Sequence, residues 1–202
     1  MPVLTESLGA VAVVTIDRRE KANALSIDLM DELRSTLGDA ARSHRSLVLT
    51  GAGGVFCGGA DLGDLRADPD ALQAALTALR SSILDLPVPV VAAVDGPCVG
   101  GGVELAMACD VRIGSQTAAF EIPAARLAVA YPEGGLEVLR RRLPHQTLSR
   151  LFLLNERIDA GAAVVAGIIA RVSEDPVAAA VESLETVAEL DAGTVTDTKH
   201  RL

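Results

Sequence analysis

Aromatic side chains are nearly missing from this sequence. Phe56, Phe120, Phe152 and Tyr131 are the whole set, 2% of 202 residues, and there is no Trp. Few rings are therefore available for stacking on bases, and a core must be built by close packing of Ala, Val and Leu, which dominate an apolar fraction of 50%. Positive charge is also in deficit: 18 basic residues face 27 acidic ones, a net charge of −9. Non-specific nucleic-acid binding depends on neutralising phosphates with Lys and Arg, so it is excluded, as is docking on an anionic membrane. An anionic ligand would need local donors. Cysteine is scarce and odd in number. Cys57, Cys98 and Cys109 form no CxxC and have no His at zinc spacing, so neither a disulfide framework nor a metal site is expected, and a reducing, cytoplasmic setting is favoured. Long hydrophobic runs are absent too. Stretches such as Ala162 to Ala170 are too short to span a bilayer, and Met1 to Ala10 lacks the basic-then-apolar order of a signal peptide. The positive mean hydropathy points to surface buried in a homo-oligomer.

What is present is an alternation of strand and helix patterns. The run Gly9 to Asp17 predicts a strand. Ser26 can cap a helix carrying Leu29, Met30, Leu33 and Leu37 at helical spacing. A buried strand follows over Ser46 to Thr50, then a loop over Gly51 to Gly59 that contains five glycines. Asp68 to Leu86 reads as helix, and Pro89 delays the next strand, which ends at Val94. The turn Gly96 to Gly102 leads into a helix over Val103 to Cys109 and a strand over Val111 to Gly114. Helices are expected over Leu136 to Leu143, Leu148 to Leu154, Asp159 to Val164 and Pro176 to Leu190, with a strand over Ile168 to Val172. The polar tail Asp191 to Leu202 is expected to fray. No linker or repeat interrupts residues 1–202, so the class is α/β in one domain.

Two segments carry chemistry. The first is Gly54-Val55-Phe56-Cys57-Gly58-Gly59-Ala60-Asp61-Leu62, where a strand runs into residues small enough to let a ligand approach the backbone. The second is Gly96-Pro97-Cys98-Val99-Gly100-Gly101-Gly102-Val103-Glu104-Leu105, where three glycines open a helix whose first N–H groups lack partners. Two such donors aimed at one point would stabilise an oxyanion. Neither segment is GxGxxG followed by the nucleotide-binding context, and neither holds GK[ST].

Together these segments resemble the crotonase (enoyl-CoA hydratase/isomerase) superfamily. The similarity extends to Asp17-Arg18-Arg19-Glu20-Lys21-Ala22-Asn23-Ala24-Leu25-Ser26, to Ala106-Met107-Ala108-Cys109-Asp110, to Phe120-Glu121-Ile122-Pro123 and to Tyr131-Pro132-Glu133-Gly134-Gly135. It runs in one register over a core of residues 11–172, leaving 173–202 as a shortened helical tail. The resemblance implies a spiral of repeated ββα units. It implies an acyl-CoA thioester whose carbonyl sits between the N–H groups of Ala60 and Gly101. It also implies that Lys21, Ala22, Ala24, Gly58, Asp61 and Leu62 line the CoA moiety, mostly through backbone atoms. No cofactor beyond that CoA moiety and no metal is implied, and the family's habit predicts a trimer or hexamer.

The carboxylates set the reaction. Glu104 matches one of the two hydratase glutamates, but the second falls on Ala124. Hydration needs one group for water and another for the second proton. Pro132-Glu133-Gly134 is similar to the segment that supplies a single base in one branch of the enoyl-CoA isomerases, and one carboxylate suffices to move a double bond. Burial in a small apolar pocket is expected to raise the Glu133 pKa. Glu121 is expected to point outward, the basic run Arg140 to Arg142 to form a solvated helix face, and His44, His145 and His200 to be surface residues. Three readings stand: isomerase-like chemistry with Glu133 as base, hydration through Glu104, and acyl-CoA binding without turnover.

Overall fold

The computed structural model describes residues 2–202. Its larger sheet begins with an antiparallel hairpin of β1 (Val3–Leu8) and β2 (Val11–Ile16). Gly9 turns the chain between them with φ +63°. β1 escaped the sequence reading because its side chains after Val3 are all exposed, which leaves no apolar alternation to see. The sheet continues in parallel through β3 (Ser46–Gly51), β4 (Val90–Val94), β6 (Val111–Gly114) and β9 (Arg171–Val172). Every residue of β3 and β4 is buried, so neither shows the alternation of a half-exposed strand.

The faces of this sheet are sorted by alternation. Ala12, Val14, Leu47, Leu49, Val90 and Ala92 join the main core with α1 (Ile27–Ser43) and α3 (Pro69–Leu84). Val11, Val13, Val48, Val91 and Ala93 face the other way, where α8 (Pro176–Glu185) covers them with Ala180 and Leu184. Ser26 caps α1, as its position in the sequence predicts, and Asp68, read as the first helical residue, instead caps α3.

A second, smaller sheet is formed by β5 (Pro97–Val99), β7 (Ala119–Glu121) and β8 (Ile158–Asp159). A bridge between Cys57 and Cys98 extends it by one rung. After β3, β4 and β6 the chain therefore steps from the first sheet into the second, the winding expected of ββα repeats. The remaining helices are α2 (Leu62–Ala67), α4 (Gly101–Ala108), α5 (Glu133–Arg142), α6 (His145–Phe152), α7 (Ala160–Val165) and α9 (Ala192–Lys199).

The tail corrects the expectation of fraying. Asp191 caps α9, and Thr196 Oγ1 donates to the Pro87 carbonyl at 2.6 Å. Lys199 Nζ donates to the carbonyls of Val88 and Ile83 at 2.9 and 3.3 Å and pairs with Asp110 at 2.8 Å. A polar composition concealed these contacts because their partners are distant in sequence, the three backbone carbonyls more than a hundred residues away. No helix among the described residues is long and apolar enough to cross a membrane.

Candidate active site

The two glycine-rich segments meet. A Cβ on Gly102 would lie 2.8 Å from Cys57 Cβ, and one on Gly59, where φ is +94°, would lie 2.9 Å from the Val99 carbonyl oxygen. Only glycine allows this approach, far inside ordinary van der Waals contact. The first segment is pinned by Gly58 N–H to the Ala22 carbonyl (2.8 Å), by Leu25 N–H to the Gly59 carbonyl (2.7 Å) and by Asp61 N–H to the Leu25 carbonyl (2.9 Å). The second is pinned by Gly100 N–H to the Glu121 carbonyl at 2.9 Å. Between these bonds, the N–H groups of Ala60 and Gly101 donate to no acceptor among the described residues. A Cβ on Gly101 would stand 3.6 Å from the Ala60 nitrogen, so the two unpartnered donors belong to one wall. Unpaired backbone donors at such sites are rare, and a polar ligand oxygen would satisfy them.

That wall bounds a cavity of about 610 Å³, whose lining includes Gly58, Ala60, Leu62, Gly101, Glu104 and Glu121. Glu104 is 2% exposed. Its carboxylate accepts hydrogen bonds from Arg80 Nη1 and from the Tyr131 hydroxyl. Arg80 and Glu104 side chains are each 3% exposed, so the pair is fully desolvated. Burial pushes the Glu104 carboxyl above its ordinary range, against the opposing charge of Arg80 and the hydrogen bonds from Tyr131 and Arg80. Burial likewise lifts the Tyr131 phenol well above its usual value, and the Glu104 charge adds to that. The Tyr131 ring packs edge-on against Phe152 with centroids 4.7 Å apart.

Glu133 is elsewhere, and the expected burial is corrected. Its side chain is 78% exposed and pairs with Arg140 at 2.7 Å on the surface of α5. The reason is helical phase. Gly135 is buried against the Glu104 carboxyl, where a Cβ would approach within 2.7 Å. Glu133 stands two positions earlier, about 200° around the helix, and so faces away. Glu121 is the converse. Expected to point outward, its carboxylate is half-buried, lines the cavity and lies 3.5 Å from Arg126. Ala124 also lines the cavity.

Of the expected CoA-contact residues, Gly58 and Leu62 line the cavity, whereas Lys21, Ala22, Ala24 and Asp61 are not part of its lining. Lys21 and Ala22 are both exposed, and Ala22 adopts φ +51°. Asp61 caps α2 through Gly63 N–H and pairs with Arg18 at 2.7 Å, and that Arg18 bond holds its carboxyl below the usual aspartate range. Arg18 also donates to the Ala24 carbonyl at 2.9 Å. Buried Asn23, at φ +56°, ties this segment to the glycine loop by donating to the carbonyls of Val55 and Ala52 at 2.6 and 3.0 Å.

Arg80, the buried partner of Glu104, is a residue that the sequence reading missed. A signal was present: Leu72, Leu76, Leu79 and Ile83 form the buried stripe of α3, and position 80 falls inside it. An arginine on an apolar helical face calls for a buried acid.

The enoyl-CoA hydratase/isomerase family model matches residues 6–197, beyond the 11–172 over which the resemblance is visible by eye. A probable enoyl-CoA hydratase of Rhodobacter capsulatus is 38% identical over 163 residues, 79% of this chain and 63% of that protein. The probable enoyl-CoA hydratase EchA6 of Mycobacterium tuberculosis is 36% identical over 167 residues, 81% of this chain and 67% of its own length. The chain thus spans about two thirds or less of these relatives. The crystal structure of enoyl-CoA hydratase from Bacillus anthracis superposes with a TM-score of 0.92 at 28% identity, covering 98% of this chain and 81% of that one.

Proposed function

The chain belongs to the enoyl-CoA hydratase/isomerase family, and from that premise we propose that it binds an unsaturated acyl-CoA thioester and shifts its double bond, with Glu104 as the single proton carrier. The thioester carbonyl oxygen accepts hydrogen bonds from the N–H groups of Ala60 and Gly101. Glu104 takes the Cα proton of a 3-enoyl thioester. The electron pair moves into a dienolate whose oxygen is held by the two N–H donors. The same carboxyl then returns the proton at Cγ, which leaves a conjugated 2-enoyl thioester. Removing one donor of such a hole typically costs about 3–4 kcal/mol of transition-state stabilisation. Gly58 and Leu62 receive the CoA arm, with Lys21, Ala22, Ala24 and Asp61 beside its nucleotide end.

The carrying observation is that Glu104 lines the cavity on the helix that Gly101 opens; Ala124, on which the family resemblance puts the second hydratase glutamate, lines it without a carboxylate. The exposure of Glu133 argues against it as base. A second reading, hydration, is favoured by Glu121, which brings another carboxylate to the cavity wall. The test is incubation with a 3-enoyl-CoA in deuterated water, followed by mass spectrometry and ultraviolet absorbance. A conjugated product without added water is expected. A product heavier by one water supports hydration, and a substrate that binds unchanged overturns both enzymatic readings in favour of acyl-CoA binding alone.

A further inference from the structure

A buried ion pair is seldom a stabilising choice, because apolar residues of similar volume usually serve a core as well or better. Here the pair joins α3 to α4, on helices whose Leu76, Leu79, Ile83, Val103 and Met107 are all buried. The surrounding sequence makes room for it at some cost. Helix α5 carries Gly134 and Gly135, poor helix formers, in its first turn. A Cβ on Gly134 would lie 3.4 Å from Arg80 Nη2, and one on Gly135 would collide with the Glu104 carboxyl. Arg80 Nη2 is itself oriented by Thr77 Oγ1 at 3.0 Å. Tyr131, at the end of the segment before α5, closes the remaining side of the carboxylate. Three elements thus converge on one acid, on the wall that carries the unpartnered N–H of Gly101.

We propose that Arg80 and Tyr131 are positioning residues that keep Glu104 ionised and fixed at the cavity wall, so that one carboxylate begins each turnover as a base. The inference rests on the reading of Glu104 as proton carrier given above. An isolated carboxyl in this apolar layer would hold its proton, and a protonated acid cannot abstract another. Arg80 supplies the positive charge that opposes this. Tyr131 donates a hydrogen bond that only the ionised oxygen rewards fully. The other charged groups around the cavity are Glu121 and Arg126, which pair with each other, and Asp70, while Glu133 is turned outward to Arg140. The thiol of Cys98 is buried on the side of Tyr131 and remains protonated.

The test follows the titration of Glu104 by carbon-13 NMR of protein labelled at the glutamate carboxyls, the signal being assigned by its loss in Glu104→Gln. In the unaltered chain Glu104 is expected to be ionised at neutral pH. In Arg80→Met its midpoint should rise by about one pH unit or more, and the acid limb of the deuterium-exchange rate should rise with it. Arg80→Lys should restore both. A folded Arg80→Met with an unmoved midpoint overturns the proposal. If Arg80→Met does not fold, Tyr131→Phe decides: a raised midpoint supports the positioning role, and an unmoved one overturns it. The parent reading fails separately, through Glu104→Gln that exchanges normally or through a midpoint that shifts without any exchange to follow.

Discussion

Glu104 and Glu133 are near twins in the sequence, each a glutamate in the first turn of a helix with glycines beside it. Their surroundings in space are opposite. One is enclosed with Arg80 and Tyr131, and the other lies in solvent with Arg140. The residue-scale prediction follows from that contrast. Glu104→Gln should slow α-proton exchange of a 3-enoyl-CoA by about 100-fold or more, the usual contribution of a positioned acid–base group. Glu133→Gln should leave exchange unaltered and change stability by no more than about 0.5 kcal/mol, as for other exposed ion pairs. Side-by-side rates and denaturant midpoints for the two variants check this, and a large rate loss in Glu133→Gln alone would reverse the assignment. Neither environment was legible from residue type. The Glu133 motif resembles an isomerase base, yet the burial that such a base needs is decided by which face of α5 meets Glu104.

At the scale of elements, legibility followed the strength of the local pattern. Helix α1 was readable because Ser26 caps it and Leu29, Met30, Leu33 and Leu37 form one stripe. Strands β3 and β4 were readable as buried runs. By contrast, α2 was missed because none of its residues is buried, so no stripe marks it. The glycine segments were readable as backbone-approach sites, and their contact supplies the element-scale prediction. Gly102→Ala would force a methyl to within 2.8 Å of Cys57 Cβ. That overpacking should cost about 1–3 kcal/mol, read as a lower denaturant midpoint, and should weaken acyl-CoA binding because it spreads the wall bearing the Ala60 and Gly101 donors. A folded variant with unaltered binding would show that the two segments need not touch.

Across the whole molecule, the small side chains let two sheets and their helices close tightly enough to bury all three cysteines. Burial pushes the thiols of Cys57 and Cys109 up to about 12 and that of Cys98 well above its ordinary value. None should react with an alkylating reagent at neutral pH until the chain unfolds globally. Labelling monitored by mass spectrometry across a denaturant series should therefore rise for all three together, at the unfolding midpoint. Early labelling of Cys57 alone would mean that the first glycine segment opens independently.

The sequence by itself determined the α/β class, the paired glycine segments and the family resemblance, because those features rest on backbone requirements that only a few residue types satisfy. Tertiary structure decided which acid meets the cavity, that Arg80 accompanies it, and that the polar tail is anchored. Those outcomes depend on helical phase and on contacts between distant positions. Glu104 and Arg80 are 24 residues apart, and Lys199 and Val88 are 111 apart. Local pattern has no access to such pairings, and they form only when the helices settle on the sheets.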